Sequence, residues 1–150
     1  MMITIREATA ADRAAIEVLL TECNLGNTGI LVAGSRYLVA EDGEMLVGVV
    51  GLEYGQHAVL LRSAGVKPGW RGRKIGARLF ESAYDLARAD QIKRVYCFST
   101  DAGEYWISQG FYEVPVPELC AALPNAYQVN HYAAIGWLPT EVAWRRDLAE

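Results

Sequence analysis

The clearest chemistry in this chain lies in one continuous stretch, Val66-Lys67-Pro68-Gly69-Trp70-Arg71-Gly72-Arg73-Lys74-Ile75-Gly76-Ala77. An apolar run ends, a Pro-Gly turn follows and a helical pattern opens. Several backbone N–H groups and the positive end of a helix dipole therefore converge on one point. Such a point binds phosphate, and the small residues Gly72, Gly76 and Ala77 let phosphates come close to the backbone. Arg71, Arg73 and Lys74 add positive charge in the same turn. Cations at a helix start oppose the dipole, so a cluster of them calls for an anion more than for a bare solvated face. Two familiar phosphate motifs are absent. No Gly-Lys is followed by Ser or Thr, and no G-x-G-x-x-G follows a first strand.

The elements that must position this stretch read in order along the chain. Residues 2–6 alternate as a short strand, and Thr9 with Asp12 three residues on approaches a capping box that starts a helix. Ile16, Leu19, Leu20 and Cys23 give that helix one apolar face. The glycine-containing stretch 26–34 reads as a loop or a broken short helix. Runs 36–41 and 45–53 are strands joined at Asp42-Gly43, a hairpin signal, and 58–66 is a third strand in the same series. A helical pattern covers 72–89, with Ile75, Leu79, Ala83 and Leu86 on its apolar side, and 93–98 is a strand. Strand, helix and strand form a crossover, so 58–66 and 93–98 are expected to pair in parallel. A short helix over 102–108 ends at Gly110, and 140–147 is the last strand. Segment 114–139 holds four of the five prolines and reads as irregular, locally helical chain. The order β-α-β-β-β-α-β-α-β implies an α/β protein with one mixed sheet and helices on both faces.

Composition narrows the function classes. A chain of 150 residues has the size of one domain, and one domain spanning 1–150 is the expectation. Fourteen Lys and Arg against eighteen Asp and Glu leave a net charge of −4, which argues against nonspecific nucleic-acid binding. The sequence holds no signal-peptide apolar core and no long apolar run, so no membrane partner is expected. Cys23, Cys97 and Cys120 form no C-x-x-C pair, which suits a reduced, cytoplasmic protein. Neither His57 nor His131 has a partner at metal-ligand spacing, so no metal is expected.

The phosphate-binding stretch resembles the pyrophosphate loop of the GNAT family of acyl-CoA N-acyltransferases, Gln/Arg-x-x-Gly-x-Gly/Ala. Arg71 and Gly76 match its first and last positions, and Lys74 stands where the inner glycine is usual. Val66-Lys67-Pro68 looks like the strand end that precedes the loop in that family. Glu104-Tyr105-Trp106-Ile107-Ser108-Gln109-Gly110-Phe111 looks like its later helix, F-Y-x-x-x-G-F. Leu61-Arg62-Ser63 resembles a stretch of the amino-acid N-acetyltransferases, including N-acetylglutamate synthases and the homologues found with arsenic-resistance genes.

This resemblance implies a single GNAT-like domain whose two central parallel strands splay apart around the pantetheine of acetyl-CoA. Backbone groups of Gly65 and Val66 would hold the pantetheine. Arg71, Gly72, Arg73, Lys74, Ile75, Gly76 and Ala77 would hold the pyrophosphate. The acetyl group would pass directly to the amine of a small molecule, an amino acid foremost, through a tetrahedral intermediate whose oxyanion meets a strand N–H. Arg62, with Ser63 beside it, would grip the acceptor's carboxylate through two parallel N–H···O bonds; a structural ion pair is the competing reading. An amine with a pKa near 10 must shed a proton before it attacks, and Glu53, at the end of the neighbouring strand, is the best placed base.

The family's usual tyrosine position is Trp106 here, which has no acidic proton. Tyr105, about 100° away around the helix, is then the candidate proton donor to the departing thiolate, with Ser99 or Thr100 as hydrogen-bond alternatives. Tyr127, His131, Tyr132 and Trp137 are expected to cover part of the acceptor pocket. Family members are often dimers, so a homodimer is a further expectation. Two other readings stay open: a catalytically weak acyl-CoA-binding regulatory module, and an N-acetyltransferase of peptide tails.

Overall fold

The computed structural model describes residues 2–148. Seven strands form one mixed sheet in the order β1-β2-β3-β4-β5-β7-β6. The strands are β1 (Ile3–Glu7), β2 (Ser35–Asp42), β3 (Met45–Tyr54), β4 (Ala58–Val66), β5 (Arg94–Phe98), β6 (Tyr112–Val114) and β7 (Ala143–Asp147). Five helices accompany them: α1 (Arg13–Glu22), α2 (Ile75–Ala89), α3 (Gly103–Ser108), α4 (Val116–Ala122) and α5 (Tyr127–Ala134). The chain packs as two compact units. One comprises the chain up to Leu52 together with Ser63–Leu86, and the other comprises Glu53–Arg62 and the chain from Ala87 onward.

In the first unit β1 pairs antiparallel with β2, from Ile3↔Asp42 to Glu7↔Leu38. Ahead of α1 the Thr9 amide donates to Asp12 Oδ2 at 2.8 Å, as the capping signal implies. The apolar stripe of α1 puts Ile16, Leu19 and Leu20 in a buried cluster with Ile30, Tyr37, Val39, Leu46 and Val49. The β2–β3 turn is Gly43-Glu44, one residue later than the Asp42-Gly43 signal suggested, with Gly43 at φ +61°.

The second unit holds the parallel pair. Its ladder runs from Ala58↔Arg94 to Leu60↔Tyr96 and stops there, although β4 continues to Val66 and β5 to Phe98. Past Leu60 and Tyr96 the two strands therefore share no register, which is the splay expected of them. On the other side of β5, β7 pairs antiparallel from Arg94↔Asp147 to Phe98↔Ala143. Beyond it lies β6, from Tyr112↔Arg145 to Val114↔Ala143. The segment read over 114–139 as irregular and locally helical holds the two helices α4 and α5, and the three-residue strand β6 at its start is not foreseen by that reading. Their burial explains them: Val114, Leu119, Leu123 and Val129 join Ala58, Leu60, Tyr96 and Ala143 in one core cluster.

At the end of α3, Gly110 takes φ +88°. Its N–H donates to the Ile107 carbonyl at 3.0 Å, and the Phe111 N–H donates to the Trp106 carbonyl at 2.9 Å. This is the paired C-terminal closure that a left-handed glycine permits. The Phe111 ring meets the Trp106 indole edge-on at 5.0 Å, which adds the apolar contact that goes with it.

Candidate functional site

In the first unit the stretch 66–77 leaves β4 through a turn with Pro68 and Gly69 at its centre. The Trp70 N–H donates to the Lys67 carbonyl at 2.9 Å, and Gly69 sits at φ +88°. Proline followed by a left-handed glycine makes this a type II turn. The chain then stays non-helical for longer than the sequence suggested. Gly72 at φ +82° and Lys74 at φ +63° are both left-handed, so α2 opens at Ile75 rather than Gly72. Its first bond runs from the Arg78 N–H to the Lys74 carbonyl at 3.0 Å. The N–H groups of Ile75, Gly76 and Ala77 consequently have no carbonyl one turn back.

The surroundings of that helix start suit an anion. A Cβ added at Gly76 would meet only Val66 Cγ2, at 3.8 Å, and one added at Gly72 would meet nothing within 4 Å. A bulky anion can therefore approach both backbones. Arg71 and Lys74 are exposed, while the Arg73 guanidinium lies over the Trp70 ring at 4.6 Å. Lys67 is turned away by an ion pair with Glu22 at 2.9 Å. At Gly65 an added Cβ would come within 3.0 Å of Cys23 Sγ, and the Cys23 thiol donates to the Val66 carbonyl at 3.3 Å. Ser63 interrupts β4 with φ +55°, and its hydroxyl lies 3.3 Å from that of Tyr37.

In the second unit Glu53 and Arg62 are together in the core, 3% and 8% exposed. They are the two charged side chains buried among the described residues. Arg62 Nη1 donates to Glu53 Oε2 at 3.3 Å. The same carboxylate accepts from the backbone N–H groups of Tyr127, at Oε1, and Gln128, at Oε2 and 3.1 Å. Those are the first two N–H groups of α5, so Glu53 caps a helix that follows it by more than seventy residues. The Arg62 guanidinium also lies over the Tyr127 ring at 5.4 Å. The structure thus brings together Glu53 and Arg62, and gives each a partner set that spacing along the chain could not show.

An aromatic cluster extends from that pair. Tyr127 stacks on His131 at 5.4 Å. The Tyr132 ring meets Phe98 at 5.3 Å and Trp137 at 5.3 Å, and Gln128 Nε2 donates to the Tyr132 hydroxyl at 3.1 Å. Sequence reasoning singled out the aromatic residues but missed Gln128. The signal available was its i,i+4 spacing to Tyr132, matched by Tyr127 and His131.

The remaining expected residues lie elsewhere in this unit. The Ser99 N–H donates to the Val142 carbonyl at 2.9 Å, and its carbonyl accepts from Trp144 Nε1 at 2.9 Å. Tyr105 is 41% exposed on α3, and partial burial pushes its phenol pKa up. Burial also pushes the Cys97 thiol well above its usual range, in keeping with a core residue. No group of three or more His, Cys, Asp or Glu side chains that could hold a metal ion occurs among the described residues. Among the described residues no helix is long and apolar enough to cross a membrane.

The model of the acetyltransferase (GNAT) domain matches residues 33–113, more than half of the chain. The chain belongs to the GNAT acetyltransferase family. No curated protein matches it in sequence, but solved structures share its GNAT fold. A GNAT-family acetyltransferase from Staphylococcus aureus Mu50 superposes with a TM-score of 0.75 at 19% identity, over 99% of this chain and 100% of that one. N-acetylglutamate synthase from Neisseria gonorrhoeae, solved with coenzyme A and N-acetyl-glutamate, gives 0.77 at 24% identity. That match covers 100% of this chain and 36% of the synthase, so the chain spans about a third of that enzyme's length. Rv2747 from Mycobacterium tuberculosis, solved in complex with CoA, gives 0.75 at 20% identity, over 97% of this chain and 99% of that one. Lys74 holds a left-handed backbone that glycine would adopt more readily.

Proposed function

We propose that this GNAT acetyltransferase moves the acetyl group of acetyl-CoA to the amine of a small metabolite, an amino acid foremost. The observation that carries the reading is the opening of α2. Three N–H groups without helical partners, an open Gly76 backbone and the exposed cations Arg71 and Lys74 make a receptor for a pyrophosphate. Because Lys74 keeps the left-handed turn, its presence in place of glycine is no reason to read the protein as a weakened regulatory module.

The second unit supports a small acceptor. The splayed ends of β4 and β5 carry Arg62 and Phe98, and the aromatic residues of α5 gather beside them. Arg62 is the group to meet an acceptor carboxylate, with its charge shared with Glu53. The Glu53 carboxylate already takes hydrogen bonds from two backbone amides and a guanidinium. We therefore read it as holding α5 and Arg62 in place, with the amine's proton passing to solvent.

Calorimetric titration with acetyl-CoA, followed by an assay of CoA thiol release with each proteinogenic amino acid, tests this reading. Micromolar binding that disappears in Gly76→Glu, with thiol release driven by an amino acid, is the expected result. Binding left intact in Gly76→Glu would show the loop to be misassigned. Thiol release driven by peptides and not by amino acids would move the acceptor to protein tails.

A further inference from the structure

We propose that Glu141 binds the ammonium group of the acceptor, a role that rests on the acetyltransferase reading above and uses residues of the second unit alone. Three segments of that unit run past its core on one face of the sheet. Leu60, Tyr96 and Ala143 belong to the core cluster that residues of α4 and α5 cover. Side chains two apart on extended chain share a face. Arg62 after Leu60, Phe98 after Tyr96 and Glu141 before Ala143 therefore lie on the face that carries α5. The pairing reaches far enough to place the last of them. Phe98 pairs with Ala143, the Ser99 N–H donates to the Val142 carbonyl at 2.9 Å, and Glu141 is extended at φ −82° and ψ 161°. Glu141 thus stands on the diagonal from Phe98, within reach of a long side chain. Contacts with α5 agree: Phe98 packs on Tyr132 at 5.3 Å, and Arg62 lies over Tyr127 at 5.4 Å.

The charges at this end of the unit do not balance. Glu53 neutralises Arg62 across 3.3 Å. Glu141 has no such counterpart: among the described residues its carboxylate takes the Val142 N–H and pairs with no cation. It is nevertheless half-buried, and the loss of hydration pushes its carboxyl pKa up against the opposing effect of that amide. Arg62 and Glu141 both act on the Tyr132 phenol. Burial raises the phenol pKa most, Glu141 raises it further and Arg62 lowers it. His131 is the other titratable side chain beside that ring.

A desolvated carboxylate without a cation costs stability, and a ligand that brings the cation removes the cost. The acceptor of an acetyl group brings one, because an amine with a pKa near 10 arrives as an ammonium at neutral pH. Its three N–H donors suit a carboxylate that the Val142 amide leaves with acceptor capacity to spare. With Arg62 for the carboxylate and Glu141 for the ammonium, the site takes a zwitterion in preference to either half of one.

The test is Glu141→Gln, which keeps the shape and an oxygen for the Val142 amide but removes the charge. Its probes are the proteinogenic amino acid that gives the fastest thiol release with the unaltered enzyme, the same acid lacking its amine, and the same amine lacking its carboxylate. A hydrogen bond to a charged group is worth roughly tenfold or more in affinity. Glu141→Gln is expected to raise KM on that scale for the amino acid and for the decarboxylated amine. The inhibition constant of the desamino acid, the calorimetric acetyl-CoA affinity and the urea midpoint are expected to stay as they are. An unchanged KM would overturn the assignment and leave the transferase reading intact. Equal weakening of the desamino acid, or a lowered urea midpoint, would overturn it too, since either would make Glu141 a structural residue. An unaltered enzyme that releases no thiol with any proteinogenic amino acid would overturn the amino-acid reading and this assignment with it.

Discussion

At the scale of single residues, the pair Glu53 and Arg62 decides most. Removing one member of a buried ion pair leaves an uncompensated charge and costs about 3–5 kcal/mol. Here the amides of Tyr127 and Gln128 still solvate the carboxylate, so the lower end applies. We expect Arg62→Ala to lose about 3 kcal/mol of stability, read as a lower urea midpoint, and to raise the acceptor KM while leaving the acetyl-CoA KM alone. A stability loss with both KM values unchanged would make Arg62 purely structural. Glu53→Gln separates the other function. An amide offers one acceptor oxygen to three donors, so α5 loosens and stability falls. A Glu53→Gln enzyme whose urea midpoint matches the unaltered protein would refute the capping role. Both residues could be named from sequence, since they sit on adjacent strands. Their shared partner could not, because α5 follows Glu53 by more than seventy residues and carries no motif that announces its docking.

At the scale of elements, the start of α2 shows how far local rules reach. The strand 58–66 was legible to the residue, since its apolar run is cut by Pro68-Gly69. The helix starts three residues later than the sequence reading has it, because Gly72, Arg73 and Lys74 carry no apolar residue that would mark where the period begins. What moves it is the left-handed backbone of Gly72 and Lys74. A lysine there carries a conformational cost of roughly 1–2 kcal/mol that glycine avoids. Glycine's greater freedom in the unfolded chain returns part of that difference. Lys74→Gly is therefore expected to stabilise the protein by about 0.5–1 kcal/mol, visible as a raised urea midpoint. Acetyl-CoA affinity should fall no more than about 5-fold, the value of one exposed charge at a helix end. A destabilised variant would show that the Lys74 side chain makes a contact stronger than its strain. The helices α4 and α5 are legible only as local helicity without bounds, for a different reason. Their proline- and aromatic-rich sequence lacks a strong helical period, and burial of Leu119, Leu123 and Val129 against β4, β5 and β7 residues imposes the helices instead.

At the scale of the molecule, acid stability follows from where carboxylates meet cations. In the first unit the Arg6 guanidinium donates to both Asp12 oxygens, at 2.9 Å each, and to Glu41 at 3.0 Å. The Arg6 hydrogen bonds, with help from the Thr9 amide, hold the Asp12 carboxyl down at about 2, from an ordinary 3.8. In the second unit the Tyr96 hydroxyl, and then Arg145, hold Glu118 below its ordinary value. A carboxyl depressed in the folded state binds its proton more readily when the chain unfolds. The stability it contributes is thus complete above pH 4 or so, where the unfolded carboxyl titrates. It is lost as pH falls towards the folded value, which for Asp12 places the window between about pH 4 and pH 2. Urea midpoints should therefore be level from pH 7 to pH 5 on account of these groups and fall steeply below pH 4. Asp12→Asn removes the titrating group and the charge that Arg6 binds, yet keeps an oxygen for the Thr9 amide. It should lower stability at pH 6 by up to about 1 kcal/mol, the scale of a part-exposed ion pair, and by clearly less at pH 3, so that the two curves converge. Parallel curves, with the same deficit at both pH values, would mean that the Arg6–Asp12 pair is not a source of the acid sensitivity.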